Sequence, residues 1–334
     1  MVSKNPLNHE MHSPIGGYFA LEETTVSNRL YESALGFQSA RAAFSALLGA
    51  GTPERIWMPR YICDAMLSPL LDAGTDICFY DLREDFRIDS QIKLRSQDWL
   101  LYVNYFGICD AIEQEVLRLF DPAQVVLDHA QALLSAPGDC LATIYSPRKF
   151  LGVPDGGLMF TRLELPLQTQ VDRGSVERCR HLLLRADGQL DSGYVAFKQA
   201  EASLVDTAPR VMSELSRRMI NSSDIDGMAL RRCRNFELLH SHFSDINRCV
   251  IPANLTSPLC YPLWLDRSID RDRLTSQGIF IPTYWNEVLG RCNPGSIEYS
   301  LTLNCFALPC DQRYGIKDIE RLAMSLRAEL ASCL

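Results

Sequence analysis

Apolar runs typical of buried β-strands alternate with helical patterns between residues 55 and 128. Strands separated by helices are joined by right-handed crossovers, and this alternation predicts a mostly parallel sheet covered by helices on both faces. The fold class is therefore α/β. The predicted strands are 55–59, 76–81, 98–104 and 124–128, and the predicted helices between them are 63–73 and 110–120.

Polar and aromatic residues stand where these predicted strands end. Tyr61 follows the first strand, Asn104 and Tyr105 stand at the end of the third, and Asp128 ends the fourth. Ligands of such sheets bind outside the carboxyl ends of the strands. The sequence thus predicts one shared ligand site at this edge.

The segment 125–161 contains the candidate catalytic residues. Asp128 closes an apolar run, and Lys149 stands six residues before Asp155, which opens an Asp-Gly-Gly turn. Taken singly, these are an ordinary helix cap, a surface charge and a turn. Taken together, they suit pyridoxal phosphate (PLP), which a lysine holds as a Schiff base while a carboxylate pairs with the protonated pyridine nitrogen.

The same segment resembles the DegT/DnrJ/StrS group of sugar aminotransferases, which are fold-type I PLP enzymes. That family has a strand ending in Asp, then Gln, then a serine-containing strand, the Schiff-base lysine and an acidic-Gly-Gly turn six residues on. Asp128, Gln131 and Lys149 match this pattern. The family's serine falls at Ile144, and Ser146 is the nearest replacement. The resemblance implies a fold-type I PLP-transferase fold.

A helix of alanines and leucines begins just after Ser39, which is well placed as its N-cap. Helix N-termini bind anions through free N–H groups and the helix dipole. The resemblance implies that Ser39, Ala40 and Arg41, together with Ser146, hold the cofactor phosphate. It also implies that Gln131 binds the ring oxygen.

Two further positions depart from the family pattern. The aromatic residue that normally stacks on the cofactor ring falls at Cys63, so Tyr61, or an aromatic of Tyr105-Phe106, is the candidate to replace it. Asn104 and Tyr105 stand where the family has a His-x-x-Gly turn beside the substrate. The resemblance therefore suggests Asn104 and Tyr105 as substrate-binding residues.

The activity that the resemblance implies is transfer of an amino group, with glutamate as donor and a nucleotide-linked keto sugar as acceptor, in surface-polysaccharide or related sugar biosynthesis. Lys149 and Asp128 would be catalytic. Retention of lysine, where the dehydratases of the family have histidine, favours transamination. The family also implies a homodimer. Two alternatives stay open: another PLP reaction, such as that of a lyase or epimerase, and a non-catalytic protein of this fold with a binding or regulatory role.

Length and composition set the remaining expectations. The 334 residues predict a polar N-terminal tail (1–14), a large PLP-binding domain (15–243) and a smaller α+β domain (244–334). A net charge of −8 argues against nucleic-acid and membrane partners. No apolar run approaches the ~20 residues that span a bilayer. The twelve scattered cysteines predict free thiols and a cytoplasmic protein. His9 and His12 have the wrong spacing for a zinc helix, and we expect no metal site.

Overall fold

The computed structural model describes residues 28–332, except for 29, 90 and 257. The predicted tail at 1–14, with His9 and His12, lies outside the described residues. The strands are β1 (Leu35–Phe37), β2 (Arg55–Pro59), β3 (Asp76–Tyr80), β4 (Asp98–Val103), β5 (Val125–His129), β6 (Ala142–Tyr145), β7 (Gly157–Thr161), β8 (Tyr261–Trp264) and β9 (Cys305–Leu308). The helices are α1 (Ala40–Gly51), α2 (Asp64–Ala73), α3 (Asp110–Leu119), α4 (Ser175–Arg178), α5 (Arg180–Ala186), α6 (Leu190–Ala202), α7 (Glu214–Asn221), α8 (Ile225–Phe243), α9 (Arg271–Ser276), α10 (Ile297–Asn304) and α11 (Ile316–Ser332).

One sheet of seven strands forms the centre of the fold. Its order is β1-β7-β6-β5-β4-β2-β3, and β7 runs antiparallel to both of its neighbours while the other pairs are parallel. Every residue of β4 and β5 is buried, as expected for strands covered on both faces. The predicted α/β fold with a mostly parallel sheet is confirmed.

Helix α1 begins where the sequence predicts. Ser39 has extended backbone, and its Oγ accepts a hydrogen bond from the N–H of Ala42 at 3.1 Å, so it is the N-cap. The helix buries a face rich in small and aliphatic residues, including Ala43, Phe44 and Leu47, and packs on β6 and β7. Its N-terminus is thereby held at the edge of the sheet where the site residues stand.

The C-terminal part contains β8 and β9, which form a separate antiparallel sheet. The sequence pattern suggests a strand over 301–309, but residues 301–304 belong to α10 and only Cys305–Leu308 is a strand. The reason is local, because Ser296 caps α10 by accepting a hydrogen bond from the N–H of Tyr299 at 3.2 Å.

The proposed division after residue 243 coincides with the end of α8. One continuous hydrophobic cluster nevertheless joins residues on both sides of it, from Phe44 and Leu100 to Trp264 and Phe306. The domain boundaries at 15–243 and 244–334 stay a prediction. Among the described helices, none has the length and apolar character needed to cross a bilayer.

Candidate active site

Asp128 lies at the carboxyl end of β5 and is buried. Its Oδ1 accepts a hydrogen bond from the N–H of Ala130 at 2.8 Å. Burial raises the pKa of this carboxyl, and the positive charge of Lys149 and the Ala130 hydrogen bond oppose that rise. Asp128 and Lys149 therefore lie close enough to interact through space.

Lys149 ends a 3₁₀ turn, Pro147–Lys149, that directly follows β6. Strands β5 and β6 are paired so that Asp128 stands opposite Ile144, which places this turn beyond the same sheet edge. The Lys149 side chain is exposed, and it forms no hydrogen bond or ion pair with the residues that the structure describes. Its amine is thus free to react with a ligand in the site.

Cys63 is the third group of this neighbourhood. It precedes α2 and is half-buried. Burial raises the pKa of its thiol, while the charge of Lys149 lowers it and the charge of Asp128 raises it further. The structure therefore brings Cys63 itself, at the position of the missing aromatic, next to the two predicted catalytic residues.

Gln131 offers an unused donor inside the site. Its side chain is 1% exposed, and its Oε1 accepts a hydrogen bond from the N–H of Phe106 at 2.6 Å. Its Nε2 is buried without any partner among the described residues. A buried donor without an acceptor costs about 1–3 kcal/mol. A ligand oxygen placed here would remove that cost.

The N-terminus of α1 lies against the Asp-Gly-Gly turn. The N–H of Gly156 donates to the carbonyl of Gln38 at 2.8 Å, and Gly156 and Ser39 form a β-bridge. A Cβ on Gly157 would lie 2.2 Å from the carbonyl carbon of Ser39, so only glycine allows this approach. The turn thus fixes where the helix N-terminus stands relative to Lys149.

Asp155 makes this arrangement rigid. Its buried carboxylate accepts hydrogen bonds from the hydroxyl of Ser175 and from the hydroxyl (2.8 Å) and N–H (3.2 Å) of Ser213, which caps α7. Its own N–H donates to the hydroxyl of Ser216 at 3.3 Å. The Asp155 carboxylate is therefore occupied by hydrogen bonds within the protein, and its role is structural.

The other predicted phosphate-binding residues stand around the same helix start. Ala40 and Arg41 form the first turn of α1 and are half-buried. Arg41 donates from Nε to the carbonyl of Ala65 at 3.0 Å and from Nη1 to that of Leu204 at 2.8 Å. Ser146 is buried directly before the turn that carries Lys149.

Three predicted residues are buried and bound by other parts of the chain. The Tyr61 ring is 1% exposed, stacks on Tyr105 at 5.6 Å and meets Trp285 edge-on at 4.6 Å. The Tyr105 hydroxyl donates to the carbonyl of Tyr61 at 2.9 Å. Asn104 is buried, donates to Asp110 Oδ1 at 2.7 Å and accepts from the N–H of Cys109 at 2.9 Å. The assignment of Tyr61 to the cofactor, and of Asn104 and Tyr105 to the substrate, stays a prediction.

One residue of this candidate site was not predicted from the sequence. The chain has Cys63 where the family has the stacking aromatic, and that position was the available signal. The sequence shows Arg148 beside Lys149, but it does not predict the ion pair with Glu201, because Glu201 lies far along the chain.

Known structures share this architecture. DesI, solved in the presence of its TDP-sugar product, is 18% identical, with a TM-score of 0.60 over 88% of this chain and 80% of that one. The PLP form of the putative sugar aminotransferase Spr1654 from Streptococcus pneumoniae is 15% identical, with a TM-score of 0.62 over 92% and 93%. A DegT/DnrJ/EryC1/StrS aminotransferase from Brucella abortus is 16% identical, with a TM-score of 0.58 over 88% and 85%.

The fold is that of the sugar aminotransferases. The sequence-based prediction of a fold-type I PLP-transferase fold is therefore confirmed. No protein-family model and no curated protein matches the sequence. The likeness consequently rests on three-dimensional structure at low sequence identity.

Proposed function

We propose that this protein is a PLP-dependent aminotransferase that moves an amino group from glutamate to a keto sugar linked to a nucleotide. One observation carries the proposal: Asp128 and Lys149 interact at the carboxyl ends of neighbouring parallel strands. The similar structures include a PLP-form sugar aminotransferase and an enzyme solved with a TDP-sugar product, which supports the same cofactor and substrate class.

The residues of the site fit PLP. The buried, unpaired Nε2 of Gln131 matches the ring oxygen of the cofactor. The Asp128 carboxylate matches a protonated ring nitrogen, and the start of α1 with Ser39, Ala40 and Arg41 matches the phosphate. Ser146 adds a hydroxyl near Lys149.

When bound, PLP supplies an aldehyde that takes up amino groups and a ring that accepts electrons. Lys149 would hold the cofactor through Nζ. With that amine released, Lys149 would take the proton from the carbon that bears the substrate nitrogen and return a proton to a neighbouring carbon. Asp128 would hold the proton on the ring nitrogen, and Gln131 would donate its Nε2–H to the ring oxygen and so orient the ring.

Assembly and location complete the proposal. We propose a homodimer, which is supported by large apolar side chains exposed on and before α6, among them Leu183, Tyr194 and Val195. We propose a cytoplasmic protein, because the cysteines of the described residues are free thiols and several are buried. The pathway we propose is surface-polysaccharide or related sugar biosynthesis.

A half-reaction with glutamate tests the activity. PLP-loaded protein mixed with glutamate should release one 2-oxoglutarate per bound cofactor and lose its visible absorbance. Lys149→Ala should do neither, because no amine remains to move the proton. Lys198→Ala is the matched control, since Lys198 lies on the exposed face of α6 beside Tyr194 and should leave both signals intact. Binding of PLP without any response to glutamate would contradict the proposed activity.

A further inference from the structure

Three arginines converge on the carboxyl end of α6. Arg148 forms an ion pair with Glu201, Arg178 donates from Nε to the hydroxyl of Ser203 at 2.6 Å, and Arg41 donates from Nη1 to the carbonyl of Leu204 at 2.8 Å. The carboxyl end of a helix attracts cations. Stabilisation of α6 is therefore one role that all three arginines can have. The three differ in their remaining contacts.

Arg178 is fully used by this structural role. Both of its terminal nitrogens bind the buried carboxylate of Asp172, and its Nε binds Ser203. The Arg178 side chain is itself buried. Its charge is matched by Asp172, and each of its three nitrogens already has a partner.

Arg148 is different. Its Nη2 binds Glu201, while its Nε and Nη1 have no hydrogen-bond partner among the described residues. A guanidinium carries five N–H donors in a planar fork that matches phosphate oxygens. The side chain is only 17% exposed, so bulk water solvates these donors poorly.

The position of Arg148 favours an anionic ligand. It directly precedes Lys149, and Pro147 of the same turn lies near Gly156, whose N–H donates to the carbonyl of Gln38 just before α1. Burial and the positive charges of Arg178 and Arg41 lower the pKa of Arg148 to about 10, against the opposing charge of Asp155. Glu201 is one negative charge on the solvent side of this cluster. Arg41 and Arg148 thus place two half-buried positive charges near one helix N-terminus. A phosphate dianion bound there would stabilise both charges.

We propose that Arg148 binds the phosphate group of the cofactor through Nε and Nη1, and that Glu201 orients its guanidinium from the opposite side. The assignment rests on the proposed function, because it takes PLP as the ligand. It makes Arg148 a cofactor-binding residue and Glu201 a positioning residue, and it gives α6 a part in the phosphate site of its own chain.

Pyridoxal, which lacks the phosphate, gives a direct test. Apo protein is titrated with PLP and with pyridoxal, and binding is followed by visible absorbance. Arg148→Gln should weaken PLP binding about 10- to 100-fold, the usual range for a charge-assisted hydrogen bond to phosphate. The same variant should change pyridoxal binding by less than about twofold. Arg162→Gln is the control, since Arg162 makes an exposed ion pair with Asp139 away from the site.

Glu201→Gln separates ligand binding from a purely structural role. If Glu201 positions Arg148 for phosphate, Glu201→Gln should weaken PLP binding by less than Arg148→Gln does and leave pyridoxal binding unchanged, because glutamine still accepts a hydrogen bond from the guanidinium. If the ion pair serves only to hold α6, Arg148→Gln and Glu201→Gln should weaken both ligands alike, and that result would overturn the assignment. Wild-type protein that binds neither ligand would instead refute the proposed function itself, and with it this inference.

A charge-retaining variant distinguishes loss of phosphate binding from misfolding. Arg148→Lys should keep most of the preference for PLP over pyridoxal, because lysine supplies a cation without the planar fork. Loss of that preference in Arg148→Gln, with unchanged urea unfolding, is the expected result. Equal preference in Arg148→Gln and wild type would contradict the assignment.

Discussion

The contact between Gly157 and the start of α1 gives the sharpest structural prediction. A Cβ at this position would lie 2.2 Å from the carbonyl carbon of Ser39, 2.3 Å from its oxygen and 2.4 Å from the nitrogen of Ala40. These are backbone atoms and cannot rotate away. To restore a contact of about 3.4 Å, the helix start in Gly157→Ala has to retreat by about 1.2 Å.

The cost of that retreat can be worked out. Overpacking costs about 1–3 kcal/mol, and we take the upper end because the clash is with backbone. The hydrogen bond from Gly156 N–H to the Gln38 carbonyl stands in the same contact, and its loss adds about 1 kcal/mol. The free energy of unfolding of Gly157→Ala should therefore be about 3–4 kcal/mol lower than that of wild type. The displaced helix start should also weaken PLP binding about tenfold or more.

Urea unfolding of the apo protein, followed by circular dichroism, measures the first effect, and titration with PLP measures the second. Gly152→Ala is the matched control in the same loop. A Cβ there would meet its nearest atom, Leu182 Cδ2, at 3.7 Å, which is an ordinary contact, so its unfolding free energy should change by less than about 0.5 kcal/mol. Equal stability of the two variants would refute the close approach of the turn to the helix.

Two further predictions concern the site. Because burial raises the pKa of Asp128, the folded apo protein holds a proton that the unfolded chain releases, and stability should fall as pH rises above the pKa of the unfolded carboxyl. Asp128→Asn should lessen this fall in urea unfolding across a pH series and slow the glutamate half-reaction at least about 100-fold. An unchanged pH dependence of stability would contradict the assigned cause. Cys63→Phe should tighten PLP binding about threefold to tenfold, because it places an aromatic ring against the cofactor, whereas Cys63→Ser should not. Equal affinities of the two variants for PLP would show that Cys63 does not face the cofactor ring.

Local sequence patterns predict much of the fold. The alternation of strands and helices predicts the parallel sheet because each crossover has one preferred hand. Ser39 was identifiable as an N-cap because its side chain acts within its own helix turn. Asp128 and Lys149 were identifiable as candidate site residues because Asp128 lies at the end of one strand and Lys149 soon after the end of its parallel neighbour, which brings such positions together.

Long-range packing decided the rest. Tyr61 and Tyr105 follow strand ends, and both pack against Trp285, which lies far along the chain. No local pattern shows which way such an aromatic side chain turns. The ion pair between Arg148 and Glu201 is hidden from the sequence for the same reason, because it joins residues 53 positions apart.

The covalent link at Lys149 is the central claim, and reductive trapping tests it most directly. PLP-loaded protein is treated with borohydride, digested, and mapped by mass spectrometry for the phosphopyridoxyl group. The account predicts the label on the peptide that contains Lys149, with none on peptides that contain the other lysines of the chain: Lys4, Lys93, Lys198 and Lys317. Label on another lysine, or none on protein that has bound PLP, would contradict it.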